Sequence, residues 1–196
     1  MQCTYRANLQ AGFYDRPTVE VARLLLGKIL VHHSPEGITA GRIVETEAYL
    51  AEEDPACHAA RGMTRRNAPM FGPAGTAYIY LIYGVHYCFN VVTGKEGEGE
   101  AVLIRALEPL CGLDLMQARR NVKERAKLCS GPGNLCRAMK ITPLLNGHLL
   151  SRPPLYLASD GFAGFETVTT TRVGISRAAD LPLRFYIAGN PYVSRK

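Results

Sequence analysis

Residues 42–49 (RIVETEAY) constrain this chain more than any other segment. Their first half is β-branched, as is typical of a buried strand, yet they continue into two carboxylates and a tyrosine. Since alternate residues of a strand share a face, Glu45, Glu47 and Tyr49 are expected to point the same way. A carboxylate is therefore predicted in a partly enclosed site, where burial and its acidic neighbour would raise its pKa. The alternative is that both acids only form ion pairs at a strand end.

The residues before this segment predict the hairpin that carries it. Helix-start residues at 15–18, apolar residues at helical spacing and a stop at Gly27 predict a short core helix. Residues 28–33 then predict a strand, 34–37 (SPEG) a turn, and 38–47 the antiparallel partner. The acidic segment thus lies at the end of a hairpin strand.

A long loop follows the acidic strand. Residues 50–75 contain prolines, glycines and arginines without periodicity, which predicts a functional or disordered basic loop. His58 lies in this loop, nine residues after Tyr49. It is expected to be either a solvated side chain or one that folds back over the strand end.

Residues 76–92 predict a second hairpin, with its turn at Tyr83 and Gly84. This arrangement holds Tyr80 inside the sheet and exposes Tyr83 at the tip. An exposed aromatic tip is suited to enter a base stack. For Tyr78, Tyr80 and Tyr87, ordinary cross-strand packing is the alternative.

Basic residues recur in the second half of the chain. Residues 101–107 predict an apolar strand interrupted by Arg105, which needs either Glu45 or Glu47 or a bound phosphate as its anion. Residues 112–127 predict a helix with a basic face that is either solvated or in contact with phosphates. Residues 131–135 open another short helix, whose free amides could hold an anion. The net charge of +6 and the pI near 9.1 favour an anionic partner.

Length and composition predict one domain over residues 1–196, with no apolar run long enough to cross a membrane. The scattered cysteines predict reduced thiols in a cytoplasmic protein; they are Cys3, Cys57, Cys88, Cys111, Cys129 and Cys136. We expect no metal and no cofactor. The alternative is a zinc site formed by Cys57, His58, His86 and Cys88.

Together these parts suggest chemistry on a damaged base. Aromatic walls bind flat rings by stacking, and they bind cationic rings especially well. An alkylated purine is both flat and positively charged. A duplex hides its bases, so the nucleotide must rotate outward, and Tyr83 is the candidate to fill the gap. A carboxylate could then activate water to hydrolyse the N-glycosidic bond, and the lack of a nearby lysine favours water as the nucleophile. Two alternatives are a non-catalytic nucleic-acid-binding module and a hydrolase of free nucleosides.

Five blocks of the sequence resemble the alkyladenine (3-methyladenine) DNA glycosylase family, in the family's order and over nearly the whole chain. They are residues 42–49, 70–71, 80–84, 103–109 and 182–186. The resemblance implies an α+β fold: a single mixed domain with a curved, mostly antiparallel β-sheet flanked by short helices. It also implies a monofunctional enzyme of base excision repair that removes alkylated purines from double-stranded DNA, and in some members hypoxanthine and ethenoadenine. We expect a monomer that associates with the nucleoid and not with membranes.

The same resemblance implies a role for seven residues. Glu47 matches the base that activates water, and Arg105 matches the residue that positions that water. Tyr49, His58 and Tyr80 match the residues that line the flipped-base pocket. Tyr83 matches the intercalating tyrosine, and Asn90 matches an asparagine that disfavours guanine. These roles require Glu47 to be open to solvent and to lie beside a cavity that contains Tyr49, His58 and Tyr80.

Overall fold

The structure is a computed structural model that describes residues 5–7 and 9–195. Over these residues the chain forms eight strands, five α-helices and three 3₁₀ helices. The strands are β1 (Ile29–Ser34), β2 (Gly37–Tyr49), β3 (Ala77–Ile82), β4 (His86–Thr93), β5 (Glu100–Cys111), β6 (Leu155–Ala158), β7 (Thr167–Thr170) and β8 (Arg184–Ile187). The α-helices are α1 (Ala11–Tyr14), α2 (Thr18–Leu25), α3 (Leu113–Arg120), α4 (Arg125–Leu128) and α5 (Pro132–Met139), and the 3₁₀ helices span His58–Arg61, Ala68–Phe71 and Pro143–Leu145.

The strands form one curved sheet in the order β3-β4-β5-β2-β1-β6, with β8 beside β2 and β7 beside β8. Every strand pairing within the described residues is antiparallel. The fold is therefore α+β, as the resemblance implied. Among the described residues, no helix combines the length and apolar character needed to span a membrane.

The long strand β2 is the centre of the sheet. Its first half pairs with β1 and its second half with β8, while β5 pairs with it from Ala40 to Tyr49. Just before β1 begins, the Lys28 carbonyl accepts from the Ile43 amide, and the Gly27 amide donates to the Ile43 carbonyl. The backbone of the acidic segment is thus held on both edges, which gives its side chains fixed directions.

Three register shifts interrupt the pairing of β2 with β5, and two of them lie between Ile43 and Thr46. Ile43 lies opposite Leu107 and Glu45 opposite Ala106, but Thr46 lies opposite Ile104. Arg105 is therefore the extra residue of a bulge, which alters the local twist and redirects its side chain.

The two faces of β5 have different surroundings. Val102, Ile104 and Ala106 belong to the main hydrophobic core, against which α2 and α5 pack. Leu103 and Arg105 point to the opposite face and line a cavity. This alternation follows from the two-residue period of a strand.

The predicted helix over residues 112–127 is wrong as a continuous element. Instead α3 ends before Asn121, which adopts a left-handed conformation with φ of 52°, and α4 begins at Arg125. An asparagine tolerates this conformation more readily than most residues do. The sequence also predicts a strand over residues 165–173, and the observed strand is shorter, since β7 spans Thr167–Thr170.

The basic residues of this region mostly join elements of the fold. Arg119 donates to the Ala138 carbonyl and Ser34 hydroxyl, Arg120 to the Leu128 carbonyl, and Arg125 to the Pro109 carbonyl. These three guanidinium groups therefore join elements of the fold, although Arg125 is also exposed to solvent.

The cysteines divide into two groups. Cys57, Cys88, Cys129 and Cys136 are buried free thiols, whereas Cys111 is disulfide-bonded. The expectation of reduced thiols is therefore wrong for Cys111, because spacing along the chain does not reveal which sulfurs meet in space. Cys3 lies outside the described residues.

We expect Ile104→Ala to lower the free energy of unfolding by about 2–5 kcal/mol, because it leaves a void in the core. Ile104 is fully buried on β5. Urea unfolding followed by circular dichroism measures the change. The control is Leu144→Ala, which trims a side chain that is 95% exposed and should alter stability by less than about 0.5 kcal/mol. A loss as small as that of the control would contradict the central role of β5.

Candidate active site

One row of residues crosses the sheet and forms the floor of the site. Tyr78 pairs with Asn90, Asn90 with Leu103, Leu103 with Glu47, and Glu47 with Arg184. Directly paired residues share a face, so side chains from five strands meet on one face of the sheet. The acidic strand and the second hairpin, distant in sequence, are thereby brought together.

A cavity of about 420 Å³ lies over this row. It contains Tyr49, His58, Tyr80, Tyr83 and Asn90, together with Arg105. Six of the seven residues predicted for the site therefore line one cavity. The start of α5, residues 131–134, lines it as well, which places the predicted anion-holding amides at the same site.

Glu47, the seventh residue, lies directly behind the cavity wall. Its side chain is 0% exposed, so the opening to solvent that its predicted role requires is not found, and three donors that line the cavity surround its carboxylate. Oε1 accepts from the Val173 amide at 2.7 Å, while Oε2 accepts from the Tyr49 hydroxyl at 3.0 Å and from Arg105 Nη1 at 3.4 Å. A carboxylate has about four acceptor positions, so these donors leave about one for a water or substrate atom.

Burial raises the pKa of Glu47 above its ordinary value. Arg105, the Val173 amide and the Tyr49 hydroxyl act in the opposite direction, because each stabilises the ionised carboxylate. A raised pKa moves a carboxylate towards the range in which it accepts a proton efficiently at neutral pH.

Glu45 is a structural partner of two arginines. Its Oε1 accepts from Arg105 Nε at 3.2 Å and from Arg184 Nε at 2.7 Å, and its Oε2 accepts from the Ser194 amide at 2.7 Å. Arg105 thus bridges Glu45 and Glu47, which answers the open question of its anion: Arg105 pairs with both carboxylates.

The aromatic wall is built from the loop and from β3. The His58 ring meets Tyr80 edge to face at 4.4 Å, and its Nδ1 lies 2.8 Å from the Tyr78 hydroxyl. Burial lowers the pKa of His58, with a contribution from Arg66, and raises that of Tyr78 to about 12. Although part of His58 remains exposed at the cavity, the lowered pKa favours an uncharged imidazole beside neutral phenols.

Tyr83 lies at the tip of the β3-β4 hairpin, as predicted, with 81% of its surface exposed. Tyr83 and Gly84 both have positive φ, 53° and 72°, and the Val85 amide closes the turn onto the Ile82 carbonyl at 3.3 Å. A tyrosine in the left-handed region is strained by about 1–2 kcal/mol. The hairpin therefore holds an exposed ring at the cavity rim in a costly but defined position.

Asn90 is fixed in the floor of the cavity. Its Nδ2 donates to the Tyr78 carbonyl at 3.0 Å, across the β3-β4 pair. Because this bond orients the amide, the direction in which Asn90 faces the cavity is fixed.

The sequence analysis missed three contributors. Asp54 and Arg172 form a fully buried ion pair beside Tyr49, and Val173 donates its amide to Glu47. Arg172 carries the same signal that identified Arg105, a guanidinium inside a predicted strand. Val173 acts through its backbone, which no side-chain pattern reveals.

Across the described residues, no three or more His, Cys, Asp or Glu side chains are arranged to hold a metal ion. Cys57 instead contacts the Gly99 carbonyl at 3.7 Å, and His58 contacts Tyr78. His58, His86 and Cys88 line the same cavity, but the described residues contain no arrangement of them with Cys57 that could hold zinc.

Comparison with known proteins agrees with this geometry. The family model described as "Methylpurine-DNA glycosylase (MPG)" matches residues 12–191. A protein of Methanoculleus marisnigri named "Putative 3-methyladenine DNA glycosylase" is 59% identical over 192 residues, which cover 96% of this chain and 99% of that protein. Proteins with the same name from Carboxydothermus hydrogenoformans and Legionella pneumophila are each 50% identical, over 96% and 95% of this chain and 99% and 98% of theirs.

The fold and the matches define a class of proteins that remove bases from DNA. The chain belongs to the methylpurine-DNA glycosylase family.

We expect Glu45→Gln to lower the free energy of unfolding by about 3–5 kcal/mol, because two buried arginines would then share one carboxylate. Chemical denaturation measures the loss. Glu36→Gln is the control: Glu36 pairs with Arg119 at the surface, with 43% of its side chain exposed, and should cost less than about 1 kcal/mol. Equal, small losses in both variants would exclude a structural role for Glu45.

Proposed function

We propose that the protein is a monofunctional glycosylase that releases alkylated purines, 3-methyladenine and 7-methylguanine among them, from double-stranded DNA. The observation that carries this proposal is the Glu47 carboxylate, held by three donors that themselves line an aromatic cavity. Membership of the family and the names of the relatives support it.

In the proposed reaction, the damaged nucleotide rotates out of the duplex and its base enters the cavity. Tyr49, His58 and Tyr80 provide aromatic surfaces that attract a flat, cationic ring. Asn90 meets the ring edge and disfavours the exocyclic amino group of guanine. Selectivity then depends on the charge and the edge groups of the base.

Water performs the cleavage. As the bond between C1′ and the purine nitrogen breaks, its electron pair leaves with the base, which neutralises the cationic ring. The sugar acquires oxocarbenium character, and water adds to C1′ while Glu47 takes its proton and Arg105 helps to position it. The products are a neutral base and an abasic site.

A cationic purine leaves without a proton donor, so one carboxylate suffices for this class of substrate. Lysine is absent from the described residues that line the cavity, which favours water over an amine nucleophile and a reaction without strand cleavage. Hypoxanthine and ethenoadenine are flat but uncharged. We expect them to leave more slowly, since no cation assists their departure.

We expect Glu47→Gln to slow base release by about 10²–10⁴-fold, because glutamine cannot accept the water proton. The measurement is single-turnover release of free 3-methyladenine from alkylated duplex DNA. Duplex binding should change little, since Glu47 lies behind the cavity wall. Glu124→Gln, at an exposed ion pair, is the control and should retain full activity.

Other outcomes separate the competing functions. Unimpaired release by Glu47→Gln would exclude Glu47 as the base. A wild-type protein that binds undamaged single strands equally well and releases no base would be a binding module. Activity on free nucleosides but not on the polymer would identify a nucleoside hydrolase.

We expect Tyr83→Ala to weaken the capture of lesions in duplex DNA more than in single strands, because only a duplex contains a vacated stack to fill. Fluorescence anisotropy with matched lesion oligonucleotides measures both affinities. Val85→Ala removes an apolar side chain, 71% exposed, from the same turn and should have a smaller effect. Equal losses on duplex and single strand, or equal effects of the two variants, would contradict the wedge role.

A further inference from the structure

Asp54 and Arg172 form an ion pair that the proposed chemistry does not use. Both side chains are 0% exposed, and the guanidinium binds the carboxylate in a bidentate manner, at 2.5 and 2.7 Å. A buried ion pair adds little net stability compared with apolar residues of similar size. Stability alone therefore gives a weak account of this pair.

Apart from a bond from Nη2 to the Ala178 carbonyl at 3.4 Å, the contacts of Arg172 outside the ion pair lead to the site. Its Nη1 donates to the Ala48 carbonyl, between Glu47 and Tyr49, at 3.0 Å. Its guanidinium lies over the Tyr49 ring at 4.6 Å from the ring centre. The next residue, Val173, donates its amide to Glu47 Oε1 at 2.7 Å.

Asp54 extends these connections to the loop that carries His58. Its carboxylate accepts the Leu50 amide at 3.1 Å and the Ala56 amide at 3.2 Å. The pair therefore joins three segments that line the cavity: the end of β2, the loop before His58, and residues 173–175.

One donor is left unsatisfied by this arrangement. Arg172 Nε is buried and has no hydrogen-bond partner among the described residues. Unpaired buried donors are rare in proteins. The contacts with Asp54 and the Tyr49 ring thus set the orientation of the guanidinium, and this orientation leaves Nε without a hydrogen bond.

We propose that Asp54 and Arg172 are positioning residues: they hold the Tyr49 ring and the Val173 amide in place, and through them the Glu47 carboxylate. This inference rests on the proposed function for its effect on base release. Its structural part, the fixing of the Val173 amide, stands independently of that function.

A second ion pair offers a matched control. Arg42 binds Asp160 in a bidentate manner at 3.1 and 2.8 Å, donates to the Gly27 carbonyl, and lies over the Phe162 ring at 4.1 Å. It repeats the arrangement of Arg172, but none of its partners lines the cavity. Asp160→Asn therefore matches Asp54→Asn in chemistry.

The first measurement needs no substrate. Hydrogen exchange, read by NMR, should be selectively faster at the Val173 amide in Asp54→Asn, and unchanged there in Asp160→Asn. The double variant Asp54→Asn/Arg172→Met removes both charges and so leaves no unpaired ion, which protects folding. It should repeat the faster exchange. Unchanged protection of Val173 in a folded variant would overturn the proposal, whether or not the wild type releases bases.

The second measurement is base release. We expect kcat to fall about 10–100-fold in both Asp54 variants, as misplacement of a reacting group does, with little change in KM. The acid limb of the pH profile should also move to higher pH. Losing the Val173 donor destabilises ionised Glu47, so its pKa rises further and more alkaline conditions are needed to ionise the base.

Asp54→Asn leaves the other charged and titratable groups near Glu47 chemically unchanged; they are Arg105, Glu45, Tyr49, Cys88, Arg172 and Arg184. A shift of the acid limb in Asp54→Asn and not in Asp160→Asn therefore reports the lost positioning. A folded double variant with wild-type kcat and an unmoved acid limb would overturn the proposal. No base release by the wild type, with faster exchange at Val173, would instead reject the proposed function and retain the positioning role.

Discussion

The ion network of Glu45, Glu47, Arg105 and Arg184 is the constraint on which the structure depends. Two carboxylates and two guanidinium groups are buried together, and their charges cancel only while all four remain in register. Any slip of β2 against β5 or β8 would leave a buried charge unpaired, which costs several kcal/mol. The network thus fixes the strand alignment that also builds the cavity.

The same alignment assigns different tasks to neighbouring acids. Glu45 is bound by two arginines and by the Ser194 amide, so its position is structural. Glu47 is held by donors that belong to the cavity wall, and burial raises its pKa. The two carboxylates are separated by one residue, yet their hydrogen-bond partners differ because their surroundings differ. Differences of this kind are what separate a structural carboxylate from a reactive one.

The cavity combines a rigid floor with a wall that comes from a loop. The floor is a cross-strand row whose side chains are fixed by sheet geometry, while His58 is held against it through Tyr78 and Tyr80. Tyr83 stands at the rim in a strained conformation. This arrangement suits the proposed reaction, in which a base leaves its stack and enters a flat, enclosed site.

The sequence by itself determined the strand that ends in acid, the two hairpins, the tip position of Tyr83 and the need of Arg105 for an anion, because each is a local pattern of polarity or turn chemistry. Only the tertiary structure decided that Glu47 pairs with Leu103 and lies behind the wall, that Arg105 occupies a bulge between two acids, and that residues 112–127 break at Asn121. The contributions of Asp54, Arg172 and the Val173 amide were likewise hidden. The physical reason is that register, bulges and backbone donors depend on which segments meet, and residues more than a hundred positions apart in the chain meet here through the closure of one sheet.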